Sequence, residues 1–259
     1  MEPNTQQESS AAIPLAIVIG FAMIAVAIFF TSGSDAPAPM AEAPTQAGTA
    51  ASTIRPVTES DYILGNPNAP IVMIEYSDYD CPFCKQFHAT MHQILDEYGV
   101  TGRLAWVYRQ FPLVDLHPNA TNLSEAALCV GDIGGNSAFW TFSDIVFESR
   151  QDTEFTNITK LPEFAVAAGV DKALFNDCVA SDRMLDNLKA DMADGLAAGA
   201  QGTPYTVIKV GNQQAVINGA QPYDVVKGIV ENLFEQLDGT FDPAAPVEAE
   251  PDTPEESQN

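Results

Sequence analysis

The chain has 259 residues, with 35 acidic side chains against 11 basic ones and a formal net charge of −24. Such a charge excludes nucleic acid as a natural partner, because the phosphate backbone would be repelled. Both ends look unlike a folded core, which leaves about 180 residues, 59–238, for one α/β domain. Residues 239–259 carry six of the net negative charges and 1–58 carry three, so −15 belongs to the domain itself. A surface this acidic suits high external salt, which screens the repulsion.

Residues 1–12 form a short segment without a basic side chain. Residues 13–30 contain no charge and as a helix would reach ~27 Å, close to the hydrocarbon thickness of a bilayer. The absence of a basic flank favours a single uncleaved transmembrane anchor, although Ser32-Gly33-Ser34 leaves room for a cleaved signal sequence. The stretch 31–58 is rich in Ala, Pro and Thr without hydrophobic period and reads as a flexible tether.

A strand is predicted at 71–76, a turn at 77–80 and a helix over 84–98 that buries Phe87, Met91, Leu95 and Tyr98 and stops at Gly99. Cys81-Pro82-Phe83-Cys84 lies where turn becomes helix. Proline is tolerated in a first helical turn, which puts Cys81 at or next to the N-cap and Cys84 one turn later on the same side. The free N–H groups there favour a thiolate, so Cys81 is the nucleophile and Cys84 the resolving thiol. The rival is a zinc knuckle of Cys81, Cys84, His88 and His92. His92 lies ~12 Å beyond Cys84 at the helical rise, too far for one tetrahedral ion, and the two histidines then read as solvated helix surface.

A second central strand follows at 103–109, so β, α, β order suggests a parallel pair. Helical periodicity recurs at 122–130, 138–148, 171–180 and 181–197, the last with Ser181 as its N-cap. Two strands at 205–210 and 214–217 flank Gly211-Asn212 as a hairpin, and a helix over 223–237 closes the domain. If Cys81 pairs with Cys84, then Cys129 and Cys178 are left to form a structural disulfide, the alternative being two separately buried thiols. Residues 239–259 form an acidic tail that reads as disordered.

The run Glu-Tyr-Ser-Asp-Tyr-Asp-Cys-Pro-Phe-Cys (75–84), with Phe111-Pro112-Leu113, His117-Pro118, Phe139-Trp140 and Gly202-Thr203-Pro204, resembles the DsbA-like thiol-disulfide oxidoreductases. The resemblance implies a thioredoxin fold carrying a helical insertion, at about 112–200. It implies a cis peptide bond before Pro204, packed beside the Cys81 sulfur, and Thr203 offering backbone bonds to a bound peptide. It also makes Glu75 a buried acid beneath the pair, an assignment supported by its sharing a strand face with Ile71 and Met73. The alternative is a carboxylate reaching solvent at the strand end. Members of the family often have His where this chain has Phe83, so a strongly oxidising potential loses one support, while Phe83 adds apolar surface for clients. His117 is a second candidate for a proton role against a structural one, and Trp106 and Trp140 read as core.

The expected function is thiol-disulfide exchange with exported or unfolded proteins through Cys81 and Cys84, in the direction of oxidation. The expected setting is a monomer on the membrane with its domain extracytoplasmic, recharged by a membrane redox partner and using no metal or other cofactor. A reductase or isomerase of the same fold is the alternative, and a chaperone-like binding domain without catalysis is the alternative of a different class.

Overall fold

The computed structural model describes residues 54–151 and 154–239. The segments 1–12 and 13–30, most of the predicted tether and the tail beyond Gly239 lie outside the described residues. Among the described residues no helix is long and apolar enough to cross a membrane.

Five strands form one mixed sheet in the order β1-β3-β2-β4-β5: β1 (Tyr62–Gly65), β2 (Ile71–Ser77), β3 (Leu104–Gln110), β4 (Tyr205–Val210) and β5 (Gln213–Asn218). β2 and β3 run parallel, joined by helix α1 (Pro82–Tyr98), and every other pairing is antiparallel. The two central strands are buried on both faces. Period-2 alternation is therefore weak in them, and their apolar runs mark them instead. β1 is a four-residue edge strand that the sequence pattern does not announce.

One face of the sheet packs against α1, through Phe87, Met91 and Ile94, and against the closing helix α6 (Tyr223–Asp238), through Val226 and Val230. Between β3 and β4 the chain inserts α2 (Ala120–Glu148), α3 (Leu161–Ala167), α4 (Lys172–Ala180) and α5 (Leu185–Ala198). The predicted helices at 122–130 and 138–148 are one helix, α2, broken at Gly135. Its φ of 76° is a conformation that side-chain-bearing residues avoid, and the bend lets both halves of α2 reach the core. Cys129 and Cys178 are bonded to one another, tying α2 to α4.

α5 covers the opposite face of the sheet. A Cβ at Gly195 would meet the Phe111 ring at 2.7 Å and the Tyr76 ring at 2.8 Å, so glycine is what allows that helix to lie so close. Ser181 does not cap α5: its hydroxyl donates to the Cys178 carbonyl at 2.9 Å and ends α4. Asp182, at φ 52°, turns the chain before α5 begins at Leu185. Gly99 likewise does not end the helical path after α1, since it keeps helical angles into a short 3-10 turn and the left-handed stop falls on Gly102. The fold also begins before residue 59. Ile54 is buried with Ile74, Tyr76 and Val207, and the Arg55 amide donates to Asp194.

Replacing Cys129 and Cys178 together with alanine opens a loop spanning 49 positions. The expected loss is roughly 4 kcal/mol in the chain-entropy account. Thermal melts of the double variant and the parent, both without reductant, should differ by about 10 °C.

Candidate active site

β2 ends at Ser77, and the next four residues turn the chain into α1. Two buried aspartates hold this turn. Asp78 accepts hydrogen bonds from the Asp80 amide at 2.8 Å, the Leu113 amide at 2.7 Å and His117 Nδ1 at 2.8 Å. Asp80 accepts from the amide and the hydroxyl of Thr156, at 2.8 and 2.7 Å. The turn is thus braced against the start of the insertion and against the loop after α2, which fixes where α1 starts.

α1 starts with Cys81 as its N-cap in extended conformation and Pro82 in its first turn. Cys84, one turn on, is fully buried and receives a hydrogen bond from the Asp78 amide at 3.4 Å. The Cys81 sulfur donates to the Thr203 carbonyl at 3.5 Å, and the Thr203-Pro204 peptide bond is cis. Phe83 stands 59% exposed beside them. The structure therefore brings Cys81, Cys84, Thr203 and Pro204 together from two distant parts of the chain.

The two sulfurs differ in environment. Hydrogen bonding from the Cys84 side chain, aided by contact with Thr203 and the amides of Phe83 and Cys84, lowers the Cys81 pKa to about 6 against the opposing effect of burial. Burial and the neighbouring Cys81 push the Cys84 thiol well up. Glu75 is fully buried. Its carboxyl is pushed up to about 7 by burial, while the nearby Ser77 hydroxyl and the hydrogen bond from Trp106 pull the other way. Trp106 Nε1 donates to Glu75 Oε2 at 2.9 Å, so this core tryptophan also shapes the site. Glu75 raises the Cys84 pKa in turn, which places the carboxylate within electrostatic reach of the buried thiol.

His117 sits at the start of the insertion with Nδ1 on Asp78, a structural placement that acts on the cysteine turn through the aspartate. Asp78, Asp80 and the Trp106 bond to Glu75 were not legible as site features. Their one signal in the sequence is the pair of acids flanking Tyr79 just before Cys81.

His88 and His92 are not solvated helix surface. The ring of His88 is buried and that of His92 half-buried, and both Nε2 atoms lie on Asp144 Oδ1, at 2.7 and 2.9 Å. The second half of α2, which carries Asp144, folds over that face of α1. Among the described residues, the group of converging metal-type ligands comprises these three residues and leaves out both cysteines.

Two measurements follow. Alkylation of Cys81 by iodoacetamide in the reduced protein should show a midpoint near pH 6, not in the range of an ordinary thiol near 8.5. For Glu75, the folded-state value of about 7 lies above the ordinary 4.5, so the folded state holds the extra proton and stability is lost as pH rises between them. In the dithiol form, Glu75→Gln should therefore gain on the parent by about 3 kcal/mol from pH 4.5 to above pH 7, read as diverging thermal melts.

Residues 57–232 match the thioredoxin family. The Na(+)/H(+) antiporter NhaA 1 of Mycolicibacterium gilvum is 28% identical over 209 residues, covering 78% of this chain and 31% of the relative. The chain thus spans about a third of the length of the first curated relatives it matches. A Rickettsia bellii protein whose name assigns it provisionally to the protein-disulfide oxidoreductases is 28% identical over 138 residues, covering 52% of this chain and 51% of its own. Among solved structures, alpha-DsbA1 of Wolbachia pipientis superposes with a TM-score of 0.61 at 22% identity, over 71% of this chain and 95% of the other. Oxidised BdbD of Bacillus subtilis does so with a TM-score of 0.59 at 21% identity, over 69% and 95%. With its mixed sheet, its Cys-Pro-Phe-Cys turn at the tip of α1 and its inserted helices, the chain belongs to the thioredoxin family and shares the fold of these DsbA-type structures.

Proposed function

We propose that this protein oxidises dithiols of exported or unfolded proteins through Cys81 and Cys84. The observation that carries the reading is the asymmetry of the pair: Cys81 beside the Thr203-Pro204 peptide with a lowered pKa, Cys84 buried with a raised one. A client thiolate attacks the Cys81 sulfur of the Cys81–Cys84 disulfide, and Cys84 leaves. A thiolate with a raised pKa is a poor leaving group unless it is protonated, and Glu75, titrating near 7, holds a proton to give it. The client's second thiolate then attacks its own sulfur in the mixed disulfide. Cys81 departs as a stable thiolate, and two electrons have passed from client to enzyme.

A stabilised Cys81 thiolate stabilises the reduced enzyme, which makes the disulfide form the stronger oxidant. Reductase or isomerase action is the reverse use of the same pair. Thr203, half-exposed beside Cys81, offers backbone groups to a client strand, and Phe83 offers an apolar contact. The domain is read as extracytoplasmic and tethered through residues 13–30, recharged by a membrane redox partner and acting as a monomer. Support for that setting is the uncharged stretch itself and the Cys129–Cys178 bond, which persists where the compartment is oxidising.

The deciding measurement is the reduction potential of Cys81/Cys84 against glutathione. A value above about −200 mV, toward the −120 mV of strong oxidants, is expected, and one near about −270 mV overturns oxidation in favour of reduction. Cys81→Ser should abolish exchange, whereas Cys84→Ser should accumulate mixed disulfides with clients. Client binding without any exchange by the parent protein would instead support a chaperone-like domain.

A further inference from the structure

Two histidines one helical turn apart on α1 face a carboxylate on α2, outside the redox pair. His88 Nε2 and His92 Nε2 are 3.1 Å apart, and each lies within 2.9 Å of the same oxygen, Asp144 Oδ1. Hydrogen bonding alone accounts poorly for this triangle. Were both nitrogens protonated, two donors would crowd one oxygen more closely than its lone pairs diverge. Were only one protonated, the bare nitrogen of the other ring would face the carboxylate. His88 Nδ1 is buried without a hydrogen-bond partner, so only Asp144 and His92, both at Nε2, act on the tautomer of that ring.

A shared cation resolves the crowding. With zinc bonds of 2.0–2.2 Å to nitrogen and oxygen, adjacent ligand atoms on a tetrahedron stand about 3.3 Å apart, roughly 0.2 to 0.6 Å wider than the three edges here, which side-chain rotation of His92 and Asp144 can open. Two imidazoles and one carboxylate are a zinc donor set that leaves a fourth position for water. The side chains of His92 and Asp144 are about one-third exposed, giving that position access to solvent. On the inner side Trp106, Trp140 and Phe147 surround the rings, with centroids 4.5–6.5 Å from the imidazoles. This apolar wall lowers the local dielectric and strengthens the attraction of a cation to Asp144.

We propose that His88, His92 and Asp144 bind one Zn2+, which clamps the helix carrying the cysteines to the inserted helix α2. The site shares no ligand with the redox pair and does not depend on the direction of disulfide exchange.

The test uses the full chain with Cys81→Ser and Cys84→Ser, because free thiolates bind zinc themselves. Zinc chloride titrated at pH 7.5 should give one bound Zn2+ per chain. At a hundredfold excess over Kd, the melting temperature should rise by about 5 °C or more. Adding Asp144→Asn, which keeps the shape, or His92→Ala should weaken binding by more than about tenfold and remove the rise. If the double-serine chain does not fold, the parent in its Cys81–Cys84 disulfide form serves equally, having no thiolate to offer. Absence of zinc binding overturns the proposal. So does equal binding by the Asp144 and His92 variants, which would place the metal on the acidic surface.

Discussion

A thiolate needs donors, and the first turn of a helix has N–H groups without internal partners. Because Cys81 is the N-cap of α1, its sulfur feels the Phe83 and Cys84 amides and the Cys84 thiol, which lower its pKa, while Cys84, one turn deeper, receives the Asp78 amide inside the core. The difference in pKa between two chemically identical side chains follows from this placement. Everything that fixes the start of α1 serves it: the β2 register that delivers the turn, Asp78 and Asp80 inside the turn, and Pro82, which has no N–H to lose there.

The opposite face of the sheet solves a different problem. Arg109 is fully buried on β3, and a buried cation is tolerated only when paired. Asp61 and Asp194 supply the charges, at 2.8 and 2.5 Å, and the Arg55 and Pro56 carbonyls take up further donors. Tyr76 donates to the same Asp194, and Arg55 bonds Asp191 at 2.6 Å. One buried guanidinium thus holds the incoming chain, the central sheet and α5 together. The cysteine turn lies at the end of β2, beside this framework, so its geometry rests on a sheet secured from both faces.

The insertion, its loops included, bears on the site through polar contacts as well as by covering the core. Leu113 and His117 reach Asp78, Thr156 reaches Asp80, and Asp144 reaches His88 and His92. Trp106 connects these layers, donating to Glu75 on one side and packing against both histidines on the other. A change at the His88–His92–Asp144 cluster therefore has a short physical route, a single indole ring, to the acid beneath the cysteines.

Local chemistry was legible in the sequence: the proline that starts α1, the apolar strands, the hairpin at Gly211-Asn212, the pairing left for Cys129 and Cys178, and the strand face shared by Ile71, Met73 and Glu75. These depend on neighbours in the chain, on period or on simple counting. The edge strand β1 was not legible, being too short to carry a period, nor was the union of two helices into α2, since a glycine reads as a break until packing uses it as a bend. His88 and His92 read as solvated because their burial comes from a helix some fifty residues away. Residue types, spacing and the capacity for dithiol chemistry were determined by the sequence alone. How far the two thiols diverge, that the Glu75 carboxyl is sealed from solvent and holds its proton near neutral pH, and which histidines meet a carboxylate were decided by the tertiary structure, because burial and through-space electrostatics exist only once distant segments are packed together.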